Sequence, residues 1–142
     1  HLVDVVAFDP HDDVAVLRLH DVTGTPLPLA DPQSGAPVAL VGYPENGPLV
    51  GVPGRVGPTG VALTQDAYGN GPVARTITSL AGTVQHGDSG GAAIDANGAV
   101  QATIFAARIG APGGYGVPSS LVRRGLASAG TAAVSTGACA PG

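Results

Sequence analysis

Glycine and proline interrupt this chain at short intervals along its whole length. Together they account for 36 of the 142 residues, and they are spread between short runs of valine, alanine and leucine without a three-residue period. Because glycine and proline weaken the interiors of helices and strands and favour turns, the spacing argues against long helices. It predicts an all-β domain of many short strands joined by turns.

A proline-rich segment divides the apolar runs into two groups. Residues 2–8 and 13–19 have the length and composition of strands and flank a turn at 9–12, so they predict a hairpin. Residues 21–37 contain four prolines and few aliphatic residues in series, which is typical of an extended connector over a surface. We expect this connector to separate two sub-barrels.

Further strands are predicted after the connector, followed by one helix. The predicted helix has Ser119 or Ser120 as its cap and ends at Gly130. Its apolar positions, which would pack on a barrel, are Leu121, Val122, Leu126 and Ala127. The predicted strands lie at 38–42, within 49–64 where glycine and proline break the pattern, at 73–79, and at 91–95 and 99–108 around an Asn-Gly turn.

The charge balance and the scarcity of metal-binding residues argue against several classes of function. The formal net charge is −4 and only 11% of the residues are charged, so no nucleic-acid partner is expected. Four scattered histidines and a single cysteine lack the spacing of zinc ligands, and we expect no metal and no cofactor. No run of 18 apolar residues is present, so no bilayer-spanning segment is expected in the chain.

The most informative segment is His86-Gly-Asp-Ser-Gly-Gly91. Glycines on both sides of Ser89 allow a turn tight enough for the Ser89 hydroxyl and the N–H groups of Gly87 and Ser89 to face one point. Acyl transfer needs such a nucleophile and such donors to an oxyanion. Two other interpretations are an ordinary Asp-Ser-Gly turn and the nucleophile elbow of α/β-hydrolases. The elbow needs a downstream histidine, and no histidine follows Ser89.

A second motif lies 76 residues before Ser89, where Asp13 opens the segment Asp13-Val-Ala-Val-Leu17. With Gly87-Asp-Ser-Gly-Gly91, it resembles the trypsin-like (chymotrypsin-fold) serine proteases, especially their HtrA-like and actinobacterial extracytoplasmic, membrane-anchored branches. The resemblance covers nearly the whole chain. It implies an all-β fold made of the C-terminal Greek-key β-barrel of the chymotrypsin fold, the last hairpin of the N-terminal barrel and one C-terminal helix. The implied divisions are the hairpin at 1–20, the connector at 21–37, the barrel with the serine loop at 38–118, the helix at 119–130 and a tail at 131–142.

The resemblance also implies a role for each residue of the two motifs. Ser89 is the expected nucleophile, Asp13 the acid that orients a histidine, and the Gly87 and Ser89 N–H groups the oxyanion hole. Asp88 is expected to accept backbone N–H bonds. The residues expected to bind substrate are Thr83, Val84, Gln85 and His86 at the primary pocket, Phe105, Ala106 and Ala107 along an edge that pairs with the substrate backbone, and Gly116 opposite.

The primary pocket implied by these residues has Thr83 at its base and no carboxylate. Such a pocket predicts a preference for a small or apolar substrate side chain over arginine or lysine. An alternative assigns Phe105 to the barrel core instead of to the substrate edge.

The general base of the family is a histidine that precedes the acid, and none of the four histidines of this chain matches it. His11 lies in a turn, His20 ends a strand, His1 is terminal and His86 is expected to line a substrate subsite. The chain also begins without methionine. We therefore expect a serine endopeptidase, present as a piece of a longer protein and inactive alone. The alternative functions are a non-catalytic peptide-binding module and a structural secreted domain.

The resemblance implies partners and a location as well. Protein or peptide substrates are expected, together with the missing N-terminal barrel segment or self-association to cover exposed strand edges. An extracytoplasmic location is expected, with a membrane anchor upstream of the chain as one option. Cys139 has no partner cysteine in the chain, so it is either a free thiol or pairs with a cysteine outside it.

Overall fold

The computed structural model describes residues 1–139, and their secondary structure is almost entirely β. Apolar runs that are short and bounded by glycine and proline form strands because they are too often interrupted to form long helices. The predicted all-β fold with one C-terminal helix is confirmed. The elements within residues 1–139 are β1 Val3–Asp9, β2 Val14–Leu19, β3 Pro37–Gly42, a 3-10 turn Pro44–Asn46, β4 Val50–Thr64, β5 Val73–Gly82, β6 Ala92–Asp95, β7 Val100–Ala107, β8 Gly114–Pro118 and α1 Ser119–Ser128.

The strands form a two-stranded sheet and a closed barrel. β1 and β2 pair with each other in antiparallel fashion. β3 to β8 close an antiparallel barrel in the order β3-β4-β5-β8-β7-β6. Asp13 directly precedes β2 of the small sheet, whereas the loop that carries Ser89 connects β5 to β6 of the barrel. The two sequence motifs therefore belong to different sheets.

The strand β4 is continuous over 15 residues, so the predicted interruption of this segment is wrong. Its first part pairs with β3 and its second part with β5. The register shifts between Val56 and Thr59, where Gly57 and Pro58 lie. A bulge accommodates proline because the ladder does not need its missing N–H at that point. The glycines and prolines that predicted a break thus bend the strand without ending it.

The predicted cap of the C-terminal helix is also wrong. Pro118, in an extended conformation, precedes α1, and no side chain caps the first turn. The Ser119 side chain is buried and its hydroxyl donates a hydrogen bond to the Val100 carbonyl of β7. Because the Ser119 hydroxyl binds a barrel strand, it does not cap the first turn of the helix. The helix ends at Ser128, before Gly130.

The helix α1 connects the two sheets by packing on both of them. A Cβ built on Gly125 would lie 2.9 Å from Cγ1 of Val14, so only glycine lets the helix approach β2 this closely. Val14 directly follows Asp13 in the sequence. The helix therefore packs against the strand that Asp13 opens. Within residues 1–139, no helix is both long enough and apolar enough to span a membrane.

The barrel core lies directly beneath the serine loop. Its buried members are Val38, Leu40, Val56, Leu80, Ala93, Ala102 and Ile104. Ile104 accepts a hydrogen bond from the Gly90 N–H through its carbonyl and donates its own N–H to the Gly91 carbonyl, both at 2.8 Å. These bonds extend the β7 ladder to the residues that follow Ser89. The loop is thereby fixed to a strand that contributes Ala102 and Ile104 to the barrel core.

Candidate active site

The serine loop depends on glycine at position 87. Gly87 has a φ of +98°, a region that residues with a side chain rarely adopt. A Cβ at this position would also overlap the carbonyl oxygen of Tyr43. The loop therefore lies against the segment that follows β3, with no room for a side chain at Gly87.

The orientation of the peptide between His86 and Gly87 decides where the Gly87 N–H points. The His86 carbonyl accepts a hydrogen bond of 2.6 Å from the Glu45 N–H. Because the C=O and N–H of a trans peptide point in opposite directions, the Gly87 N–H points away from Glu45. Within residues 1–139, neither the Gly87 N–H nor the Ser89 N–H donates to another group of the chain. Both donors are available to a bound oxyanion.

Asp88 stabilises this loop from inside. Its side chain is buried, and one carboxylate oxygen accepts a hydrogen bond of 2.8 Å from the Gln85 N–H. The Asp88 N–H in turn donates to the Gln85 carbonyl at 3.1 Å. The expectation that Asp88 accepts a backbone N–H is confirmed. The reciprocal pair closes the turn that presents Ser89.

Asp13 and Ser89 line the same cavity, which has a volume of about 480 Å³. The other residues that line it include Phe8, Phe105 and Val122. Ser89 is exposed, and its hydroxyl donates a hydrogen bond of 3.3 Å to the Phe105 carbonyl. Asp13 is exposed and has a left-handed backbone, with φ of +58°. Two residues far apart in the sequence thus meet at one solvent-accessible space.

Three of the four histidines bind carboxylates other than that of Asp13. His1 pairs with Asp21, and His11 pairs with Asp12, each at 2.9 Å. His20 contacts Asp4 at 2.8 Å. Hydrogen bonds from Arg18 and, to a smaller extent, from His20 lower the pKa of Asp4 below its ordinary value. His20 is therefore held by Asp4 and not by Asp13.

His86 is the one histidine beside Ser89 within the described residues, and it lines a second cavity of about 600 Å³ together with that serine. It has no side-chain hydrogen bond to Ser89 or Asp13 in residues 1–139. The structure therefore brings none of the four histidines between the serine and the acid.

The second cavity brings together most of the residues expected to bind substrate. The lining residues are Glu45, Val84, Gln85, His86, Ser89, Phe105, Ala106, Ala107, Arg108 and Ile109. The exposed Glu45 also lies at this cavity, so the cavity contains a carboxylate that the sequence did not predict. Glu45 belongs to the 3-10 turn that follows β3, and its contact with the serine loop has no local sequence signal.

Thr83 and Gly116 do not line this cavity. Thr83 lies instead at a small separate cavity beside Leu40 and Asp88. A Cβ on Gly116 would lie 2.8 Å from Cβ of Ala102, which places this glycine against the barrel interior. The assignment of Thr83 and Gly116 to substrate binding stays a prediction.

Gly114 lies against Val84, which lines the cavity, and Gly114 was not among the residues predicted to bind substrate. A Cβ on Gly114 would lie 2.9 Å from both methyl groups of Val84. The only sequence signal is the pair Gly113-Gly114 at the start of a strand, and it does not show which wall the strand faces.

The edge of β7 at Phe105–Ala107 is unpaired on one side. β6 pairs with β7 only as far as Thr103, whereas β8 continues to pair with β7 up to Ala107. The backbone of 105–107 therefore has one side open beside Ser89. An unpaired strand edge can accept an additional strand.

Similarity to known proteins agrees with this geometry. The trypsin-like peptidase domain family matches residues 1–102 of the chain. The chain belongs to this family. Two relatives, the serine proteases MT3772 and Rv3671c of Mycobacterium tuberculosis, are each 38% identical to this trypsin-like domain over 140 residues. The match covers 95% of this chain and 35% of each relative, so the chain spans about a third of their length.

Solved structures also resemble this trypsin-like domain. The active form of the Rv3671c protease superposes with a TM-score of 0.88 at 36% identity, covering 98% of this chain and 63% of that one. An inactive form of the same protease gives 0.76 at 35% identity, covering 91% of this chain and 66% of that one. The HtrA-type protease AlgW with a decapeptide gives 0.73 at 24% identity, which covers 89% of this chain and 39% of that one and shows a common fold. The predicted resemblance to trypsin-like and HtrA-type proteases is confirmed.

Proposed function

We propose that this protein is a serine endopeptidase in which Ser89 attacks the carbonyl carbon of a peptide bond. The observation that carries the proposal is the shared cavity of Asp13 and Ser89, beside two unbound N–H donors on the serine loop. The greater similarity to the active form of the Rv3671c protease than to its inactive form supports it further.

The proposed reaction is acyl transfer through a covalent intermediate. A histidine from outside residues 1–142 enters the cavity, accepts the Ser89 hydroxyl proton as the Oγ–C bond forms, and donates its other N–H to Asp13. The Gly87 and Ser89 N–H groups bind the oxyanion. The histidine then protonates the leaving amine as the peptide C–N bond breaks. Water, deprotonated by the same histidine, hydrolyses the acyl-enzyme and releases the second product.

The open edge of β7 supports a role in binding the substrate backbone. A peptide that pairs with Phe105–Ala107 as an added strand would run past Ser89, because the Phe105 carbonyl accepts the Ser89 hydroxyl hydrogen bond. The neighbouring cavity would then receive the side chain on the acyl side of the cleaved bond. AlgW, which has the same fold, is described with a bound tripeptide and with a decapeptide.

We propose that this pocket prefers small or apolar side chains. Val84 and Ala106 line it, and Gly114 leaves no side chain behind Val84. Glu45 and Arg108 carry opposite charges at the same cavity, so neither provides an isolated charge to select lysine, arginine or glutamate.

Cleavage mapping with a peptide library is expected to show alanine, valine or leucine before the cleaved bond. Glu45→Gln should leave this preference unchanged, while a matched Arg108→Gln variant tests the other charge. A preference for lysine or arginine that disappears in Glu45→Gln would contradict the proposed specificity.

We further propose what covers the exposed face of the small sheet, where the protein is located and what Cys139 pairs with. The apolar side chains of Val3 on β1, of Leu17 and Leu19 on β2, and of Leu2 just before β1 are exposed, and additional β structure or a second copy of the chain would cover them. The proposed location is extracytoplasmic, with an upstream membrane anchor. Cys139 is exposed and has no disulfide partner within residues 1–139, and we propose that it pairs with a cysteine outside the chain.

Labelling with a fluorophosphonate probe tests the proposed function, because the probe reacts with an activated serine. The protein extended by its preceding sequence is expected to be labelled, and the 142-residue chain is not. The Ser89→Ala variant of the extended protein is the control. Labelling of the 142-residue chain would place the base among its own histidines. A folded extended protein that is not labelled would instead favour a non-catalytic peptide-binding module.

A further inference from the structure

Arg75 of β5 is a buried arginine that no carboxylate neutralises within residues 1–139. It is only 4% exposed, and its side chain makes no ion pair among the described residues. Its Nε has no hydrogen-bond partner in that part of the chain. Burial of a charged group is unfavourable unless its surroundings compensate for the lost water. The contacts of the guanidinium group therefore need a specific explanation.

The guanidinium group contacts three separate segments of the chain. Its Nη1 donates a hydrogen bond of 3.0 Å to the Gln65 carbonyl, in the loop between β4 and β5. Its Nη2 donates a hydrogen bond of 3.2 Å to the Asp12 carbonyl, in the loop between β1 and β2. Its Cζ lies 4.4 Å from the ring centroid of Phe105, which is within the range of a cation–π interaction.

The bond to Asp12 acts on the proposed catalytic acid through the backbone. The Asp12 carbonyl belongs to the peptide unit that ends at the nitrogen of Asp13. The next rotatable bond is the φ bond of Asp13, which has the sparsely populated value of +58°. A donor that fixes the preceding peptide plane therefore helps to hold Asp13 in a conformation that the isolated backbone disfavours.

The stacking of Arg75 on Phe105 affects the part of the site that contains Ser89 and the open edge of β7. The Phe105 carbonyl accepts the hydrogen bond from the Ser89 hydroxyl, and Phe105 begins the open edge of β7. The same ring lines the cavity that Asp13 and Ser89 share and also the pocket beside Ser89. Stacking on the ring thus restrains the strand that the substrate would pair with.

We propose that Arg75 is a positioning residue that sets Asp13 and the Phe105 edge relative to each other across the two sheets. The inference rests on the proposed peptidase function. It assigns Arg75 no contact with the reacting atoms. Its positive charge is retained in a buried position because one planar group can donate to the acid loop and stack on the substrate edge simultaneously. An apolar side chain of similar length could fill the space but could not donate.

The test compares Arg75→Met and Arg75→Lys with the wild-type protein, in the extended form that is labelled by the fluorophosphonate probe. The rate of labelling reports the assembly of the acid, base and nucleophile, whereas KM for a peptide substrate reports the Phe105 edge. We expect Arg75→Met to label about 10- to 100-fold more slowly, because misplacement of catalytic groups by about 1 Å has effects of this size. We expect its KM to rise about tenfold through the lost stacking. Arg75→Lys should recover part of the labelling rate, since it keeps one donor.

Two further variants separate this role from general destabilisation. Phe105→Leu removes the stacking but keeps the Asp12 bond, so it should raise KM with little effect on the labelling rate. Arg55→Met is the matched control, because Arg55 is an exposed strand arginine that donates to the Gly35 carbonyl. If Arg75→Met does not fold, the comparison of Arg75→Lys with Phe105→Leu still measures both effects.

The outcomes are distinguishable from a failure of the proposed function. If the wild-type extended protein is not labelled, the proposed peptidase function itself is wrong. A wild-type protein that is labelled, with an Arg75→Met variant that keeps its labelling rate and KM, would overturn only the role of Arg75. A change in one of the two quantities without the other would overturn the coupling of the acid loop to the substrate edge.

Discussion

Replacement of Ser89 by alanine is expected to lower the turnover of peptide substrates about 10⁶-fold, the effect of removing the nucleophile of a serine peptidase. The residual rate would come from the oxyanion donors and from substrate binding. Stability should change little, because Ser89 is exposed and its hydroxyl makes a single hydrogen bond to the Phe105 carbonyl. The measurements are kcat on a peptide substrate and the thermal unfolding midpoint of each variant.

Ser128→Ala is the matched control for this substitution. Ser128 is exposed, and its hydroxyl also donates to one backbone carbonyl, that of Gly125 at 2.9 Å. Loss of a hydroxyl of this kind at the end of α1 should leave kcat unchanged. Turnover by Ser89→Ala close to that of the wild-type protein would show that another residue is the nucleophile.

Replacement of Gly87 by alanine is expected to lower kcat at least about 10²- to 10³-fold, which is the usual effect of losing one oxyanion donor. The added Cβ overlaps the Tyr43 carbonyl, and alanine also disfavours the φ of +98° at this position. Both effects rotate the peptide between His86 and Gly87 out of its position. The hydrogen bond from the Glu45 N–H to the His86 carbonyl would be lost with it. The measurement is kcat, with KM determined in the same experiment.

Gly98→Ala separates the backbone effect from the steric effect. Gly98 has a φ of +77° in the turn between β6 and β7, and a Cβ there would meet no heavy atom within 4 Å. We expect this variant to lose about 1 kcal/mol of stability and to keep full activity. If Gly87→Ala also keeps full activity while folded, the assignment of the Gly87 N–H to the oxyanion hole is wrong.

The sequence predicted those parts of the site that depend on local backbone chemistry. Gly87, Asp88 and Ser89 are adjacent in the chain, and their residue types alone require a tight turn with exposed donors. The role predicted for Asp13 follows from the resemblance of Asp13-Val-Ala-Val-Leu17 to a motif of the trypsin-like serine proteases. The all-β architecture followed from the spacing of turn residues, which acts over a few positions at a time.

The features that the sequence did not predict depend on contacts between distant segments. β4 continues through Gly57 and Pro58 because β5 pairs with it on both sides of the bulge. Gly114 lies against Val84 of the pocket wall because strand twist and register decide which glycine faces that side chain. Arg75 is charged and yet buried, and no local pattern shows that this strand arginine lies against two loops.

The separation of the two sheets has a consequence for how activity can be lost. Ser89 lies in a loop of a closed barrel with its own core, whereas Asp13 lies in the loop of a two-stranded sheet, and a sheet of that size is only marginally stable by itself. The acid therefore depends on contacts such as those of Gly125 with Val14 and of Arg75 with Asp12. The position of Asp13 and the folded state of the barrel are thus expected to depend on different contacts. A mutation, or a partner that displaces the small sheet, is therefore expected to abolish the proposed peptidase activity while the barrel remains folded.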